Sequence, residues 1–181
     1  VPYQDHFLRK KAGQMNTPEY RKLNPMGRVP TIVDNGKVIF ESAAICLYLA
    51  DKFADRGLAP KIDSPERADY LQWMVWSVGS LECVIARMFT HVSTDEEKQV
   101  THKFVKEQCE ILKLALLPVL SKQQYILTSG FSAADIMLAA VLPGAWEYIV
   151  EPNPEIKAYM ERLMNRPAAI KTKVFEMPVM A

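Results

Sequence analysis

Residues 57–65, Gly57-Leu58-Ala59-Pro60-Lys61-Ile62-Asp63-Ser64-Pro65, divide this chain into two stretches with different patterning. Glycine and proline bound the segment, as in a linker. The stretch before it holds most of the turn signals, and the stretch after it is long, periodic and almost free of strand signals. A chain of 181 residues has room for one domain or two small ones, and this division favours two. The expected organisation is a small α/β domain over 1–57, a linker over 58–64 and an all-helical domain over 65–181.

In the first stretch, Tyr3 to Leu8 reads as a short strand. Thr17-Pro18-Glu19 starts a helix: Thr accepts a free N–H, Pro suits the first turn and Glu favours its positive end. Asn24-Pro25 ends it, because a residue before proline avoids the helical region. Two β-rich runs, 31–34 and 37–40, flank Asn35-Gly36, a strong hairpin signal. Glu41-Ser42 then opens a helix, and Gly57 marks its end. In the second stretch, Ser64-Pro65-Glu66 reads as a helix start. Leu71, Met74, Val75, Val78, Leu81, Ile85 and Met88 recur at helical steps, out to about His91. Thr94 to Glu97 begins the next helix. Ser132 and Asp135 form a capping-box pattern, with Asp in place of Glu or Gln, ahead of a helix apolar on most faces. Pro143-Gly144 should break that helix. Pro154-Glu155 and Pro167-Ala168 start two more.

Several functions are disfavoured at this level. The net charge is +1, from 22 basic and 21 acidic side chains, which argues against a general electrostatic grip on nucleic acid or on an acidic membrane. No run of apolar residues reaches the length of a transmembrane helix, and the amino terminus lacks signal-peptide character. Cys46, Cys83 and Cys109 show no metal-type spacing and read as three buried, reduced thiols of a cytoplasmic protein. His6, His91 and His102 are far apart, so no metal site is expected.

The informative run is Asn24-Pro25-Met26-Gly27-Arg28-Val29-Pro30-Thr31-Ile32, followed by Phe40-Glu41-Ser42-Ala43. A cis Val29-Pro30 bond suits a tight turn ahead of a strand. It leaves the Val29 backbone outward and ready to pair with an extended peptide. Ser42 and the free N–H groups of a helix start suit a carboxylate, and Glu41 suits an ammonium. Together they match a small peptide with an amino-acid head group. Each residue also has a structural use: Pro30 shapes a turn, Ser42 caps a helix, and Arg28 is a solvated charge.

Over nearly its whole length the chain resembles the cytosolic, bacterial-type glutathione transferase family. Three segments carry the likeness in order: NPMGRVPTIVDNGKVIFESAAICLYLADKF, FSAADIMLA and PEIKAYMERLMNRPA. The resemblance implies a thioredoxin-like N-terminal domain, incomplete at its start, followed by an all-α helical bundle. It implies glutathione as co-substrate, with no metal. Val29 would pair with the cysteinyl part, Pro30 would be the cis proline, Glu41 and Ser42 would hold the γ-glutamyl end, and Arg28 would reach the glycyl carboxylate. Ser132 and Asp135 would be a structural cap. An acceptor pocket facing the first long helix would draw on Trp76, Ser80 and Arg87. A homodimer in the cytoplasm, acting in detoxification without nucleic acid or membrane, also follows from the resemblance.

Relative to this family, a first strand and helix of about 25 residues are missing, by comparison with a βαβ unit of about 30. The catalytic Tyr, Ser or Cys is therefore expected upstream of Val1, and its identity stays open. The expected activity is conjugation of glutathione to small hydrophobic electrophiles. Glutathione-dependent peroxide or disulfide reduction, and a non-catalytic binding or assembly module on the same fold, are the alternatives.

Overall fold

A computed structural model describes residues 2–9, 12–89 and 94–176. The chain forms two compact units, Val1–Leu49 and Ala50–Ala181. His91, at the expected end of the first long helix, lies outside the described residues.

The first unit is built around a hairpin. A 3₁₀ turn, Gln14–Asn16, leads into α1 (Pro18–Leu23), where the Thr17 side chain accepts the Tyr20 N–H at 3.3 Å. Asn24 is extended ahead of Pro25 and ends α1. Strands β1 (Thr31–Asp34) and β2 (Lys37–Phe40) pair antiparallel, with Thr31 opposite Phe40 and Asp34 opposite Lys37. Asn35 and Gly36 have φ of 50° and 79°. Positive values at both positions define a type I′ turn, whose twist matches that of the strands. Helix α2 (Ser42–Lys52) follows and continues into the second unit. The Tyr48 hydroxyl donates to Asp34 at 2.5 Å, fastening α2 to the hairpin.

Tyr3 to Leu8 departs from expectation. It is not a strand, and Tyr3 and Phe7 are exposed. A strand needs a partner for its backbone groups, and among the described residues only β1 and β2 form a sheet.

The second unit is helical. Its first long run joins α3 (Arg67–Trp76), a π-helical turn (Ser77–Glu82), α4 (Cys83–Ile85) and a 3₁₀ turn (Ala86–Phe89). Helix α5 (Asp95–Leu120) opens with a reciprocal box: Glu97 N–H to the Thr94 hydroxyl and Thr94 N–H to the Glu97 carboxylate, both 3.1 Å. The others are α6 (Ala133–Val141), α7 (Pro154–Met164) and α8 (Pro167–Thr172). Tyr70, Met74, Leu81, Leu116, Leu138, Leu142, Ile149, Ile156 and Met160 are fully buried and form the core.

Three details correct the sequence reading. Helix α3 starts at Arg67 rather than directly after Ser64. Glu66 instead turns its carboxylate to a distant loop, accepting the Thr128 hydroxyl at 2.5 Å and the N–H groups of Thr128 and Ser129 at 2.8 and 3.2 Å. These donors, Ser129 first, hold its pKa below the usual carboxylate range. Second, Ala133–Val150 is an 18-residue stretch with a mean hydropathy of 1.4, enough by length and composition for a membrane span, and 61% of it is buried within the protein. Its apolarity is that of a core segment, interrupted at 142–145 by a 3₁₀ turn containing Pro143 and Gly144. Third, only Cys109 is buried; Cys46 is half-buried and Cys83 is exposed. Burial, with the neighbouring Glu110 charge, pushes the Cys109 thiol up to about 11. Thiolate is the reactive form, so iodoacetamide at neutral pH is expected to label Cys83 first and Cys109 only after unfolding. Peptide mapping by mass spectrometry checks that order, and early labelling of Cys109 would contradict it.

Asp135 closes the N-terminus of α6. Its carboxylate accepts the Ser132 N–H at 2.8 Å, the Ser132 hydroxyl at 3.1 Å, and the Ile126 N–H and Tyr159 hydroxyl at 2.9 Å each. The Ser132 hydroxyl accepts the Ala134 N–H at 3.3 Å. Burial raises the pKa of both Asp135 and Tyr159, and at Asp135 these donors oppose the rise.

Candidate functional site

The expected binding residues all lie in the first unit, on the loop before β1 and at the start of α2. Val29-Pro30 is the one cis peptide bond among the described residues. Val29 is 57% exposed, and among the described residues its backbone N–H and C=O take no hydrogen-bond partner. This leaves an unpaired donor and acceptor just ahead of β1, the arrangement that lets an extended peptide add to a strand edge.

At the other end of the hairpin, β2 gives way to Glu41. Its backbone lies in the left-handed region, at φ 74°, which costs a residue with a β-carbon about 1–2 kcal/mol. The Glu41 carbonyl accepts the Ile45 N–H at 2.9 Å and so begins the helical ladder of α2. Glu41 is exposed and Ser42 half-buried. The first N–H groups of α2 have no carbonyl one turn earlier to bond, so the helix start carries free donors and the Ser42 hydroxyl, with the Glu41 carboxylate on the preceding residue. Cys46 follows Ser42 by one turn, and burial raises its thiol above the ordinary value.

The loop itself is tightly held. Gly27 has φ 61°, and a β-carbon there would lie 2.7 Å from the Met15 carbonyl oxygen and 3.1 Å from Asn16 Oδ1. Arg21 donates to the Pro25 carbonyl at 2.8 Å and to Asn16 Oδ1 at 2.9 Å. Tyr20 and Asn24 hold the Arg28 carbonyl at 2.6 and 2.9 Å, while the Arg28 side chain is exposed. The sequence reading missed these anchoring residues. Asn-Pro signalled a turn without showing which carbonyl the Asn side chain would hold.

A family profile described as the glutathione S-transferase N-terminal domain matches residues 1–52, and one for the C-terminal domain of the same family matches residues 81–167. The disulfide-bond oxidoreductase YfcG of Escherichia coli K12 is 31% identical over 172 residues, covering 87% of this chain and 76% of that protein.

This chain belongs to the glutathione S-transferase family.

Glutathione S-transferase GstA of Escherichia coli O157:H7 is 29% identical over 157 residues, covering 84% of this chain and 75% of that one. A glutathione transferase from Burkholderia graminis, crystallised with two glutathione molecules per subunit, superposes with a TM-score of 0.83. It is 26% identical and covers 100% of this chain and 80% of its own. The transferase fold is thus a thioredoxin-like N-terminal domain plus a helical C-terminal domain.

The three expected acceptor residues of this transferase-family chain lie on the first long run of the helical unit, in three different settings. Trp76 borders a groove of about 400 Å³ within the helical unit, with Asp69, Gln72, Trp73, Val119 and Leu127. Its indole meets that of Trp73 edge-on, at 5.1 Å between ring centres. Ser80 does not line this groove; it lies in the π turn. Arg87 is exposed and stacks over Phe104, 4.6 Å from the ring centre. The π turn between Trp76 and Arg87 closes i→i+5 bonds, so a stripe drawn at 3.6 residues per turn does not describe the angular offset of residues across it.

Proposed function

We propose that this protein binds glutathione at the loop before β1 and the start of α2, and joins its sulfur to a small hydrophobic electrophile. One observation carries the reading: an unpaired Val29 backbone and the Glu41-Ser42 helix start flank the same hairpin. A tripeptide with an extended backbone and an amino-acid head group fits both. The names of the relatives, and the glutathione bound in the Burkholderia graminis structure, support it.

In the reaction, the thiol gives up its proton, the thiolate forms a carbon–sulfur bond, and the leaving group departs with its electron pair. Holding glutathione in place supplies proximity to the second substrate. Val29 pairs with the cysteinyl segment, Ser42 and the α2 N–H groups take the γ-glutamyl carboxylate, Glu41 takes the ammonium, and Arg28 lies within the loop expected to meet the glycyl end. A detoxifying role in the cytoplasm, as a homodimer, is part of this proposal, and sedimentation of the purified protein tests the dimer.

Calorimetry with glutathione is the deciding experiment. Binding at millimolar concentration or tighter is expected, and its absence overturns the reading. Ser42→Ala should weaken binding by about 1–3 kcal/mol, the usual value of a hydrogen bond to a charged group. An unchanged affinity would confine Ser42 to the helix start. The name of YfcG favours a second reading, glutathione-dependent disulfide reduction. Turnover of a simple disulfide compared with that of chlorodinitrobenzene separates the two.

A further inference from the structure

We infer that Tyr20 and Asn24 are positioning residues for glutathione, acting through the carbonyl of Arg28. The inference rests on the binding site proposed above. That carbonyl accepts the Tyr20 hydroxyl at 2.6 Å and Asn24 Nδ2 at 2.9 Å, with the Thr31 hydroxyl at 3.5 Å. The two main donors are themselves joined to Thr31: its hydroxyl lies 3.0 Å from that of Tyr20 and 3.3 Å from Asn24 Nδ2. The other face of the Asn24 amide accepts the Met26 N–H at 3.1 Å, and the Asn24 carbonyl accepts the Gly27 N–H at 2.9 Å. Asn24 is 3% exposed, the single buried polar residue of the first unit among those described.

The consequence follows from peptide geometry. The bond between Arg28 and Val29 is a planar trans peptide, so its C=O and N–H point in opposite directions. Donors that pull the Arg28 oxygen into the loop fix the Val29 N–H pointing out of it. That N–H is the group assigned to the cysteinyl part of glutathione, and among the described residues it has no protein partner. Without Tyr20 and Asn24 the plane is free to rotate, and the donor is presented only part of the time. A ligand that binds one orientation then loses affinity in proportion to the population of that orientation.

The test uses Tyr20→Phe, which removes only a hydroxyl, and Asn24→Ala in the full chain. Glutathione affinity by calorimetry should fall about three- to tenfold in Tyr20→Phe, the range spanned by one ordinary hydrogen bond, and by more in Asn24→Ala. Melting temperature and circular dichroism of Tyr20→Phe should stay close to wild type. In ¹⁵N-labelled wild type, glutathione should shift the Val29 amide resonance, and in Tyr20→Phe that shift should shrink at matched saturation. A loss of affinity with an unchanged Val29 response would assign the two residues a general structural role and overturn the inference. Wild-type affinity in Tyr20→Phe also overturns it and leaves the proposed function standing. Wild-type protein that does not bind glutathione overturns both. Should Asn24→Ala fail to fold, Tyr20→Phe alone decides.

Discussion

Asp135→Ala is expected to lower the unfolding free energy of the helical unit by about 3–5 kcal/mol, the range for removing one partner from a buried charged network. The substitution orphans the Ser132 N–H, the Ile126 N–H and the Tyr159 hydroxyl together. Each buried donor left unpaired costs about 1–3 kcal/mol, and the sum is softened by relaxation. Domain stabilities lie at about 5–15 kcal/mol, so the variant should be marginal or unfolded at 37 °C. Asp135→Asn separates the causes: its one remaining oxygen serves Ile126 and Tyr159, while its amide opposes the Ser132 N–H, so an intermediate loss is expected. Urea denaturation followed by circular dichroism measures both. A loss below about 1 kcal/mol in Asp135→Ala would show that the network is not what holds α6 in place.

Gly27→Ala is expected to weaken glutathione binding at least tenfold while leaving the helical unit folded. A β-carbon at φ 61° costs about 1–2 kcal/mol from the backbone alone. It would also lie 2.7 Å from the Met15 carbonyl oxygen, a main-chain atom that cannot swing aside. The loop must therefore shift, and Val29, two residues on, shifts with it. Calorimetry should show at least a tenfold loss of affinity, with the far-ultraviolet spectrum little changed because most helix lies in the other unit. Wild-type affinity would place the binding determinants elsewhere.

The parts of this structure legible in sequence are those set by local chemistry. Asn35-Gly36 specified the hairpin because both residues accept positive φ. Thr17-Pro18 and Thr94 to Glu97 marked helix starts because their side chains answer N–H groups within one turn. Ser132 and Asp135 were legible for the same reason. What stayed hidden depends on residues far apart in the chain. Nothing near Glu66 reveals that its carboxylate will hold Thr128 and Ser129, or that Arg67 will clasp Asp51 through two bonds of 2.8 Å. The π turn at 77–82 was hidden too, since apolar steps of three and four do not distinguish an i→i+4 bond from an i→i+5 bond. That turn carries Ser80, and Cys83, read as buried from its spacing alone, follows it and is exposed. At the candidate site, the pattern indicated Val29, Glu41 and Ser42. It passed over Tyr20 and Asn24, whose contribution runs from a side chain to another residue's carbonyl.

The left-handed backbone at Glu41 bears on how such a chain changes over generations. Glycine or asparagine would sit there with less strain, and either would remove the carboxylate beside Ser42. Selection for heat resistance alone would push position 41 toward those residues, whereas, on the proposal that Glu41 takes the glutathione ammonium, selection for binding would push it back. A survey of variants enriched with and without ligand would see the two pressures part company at this one residue.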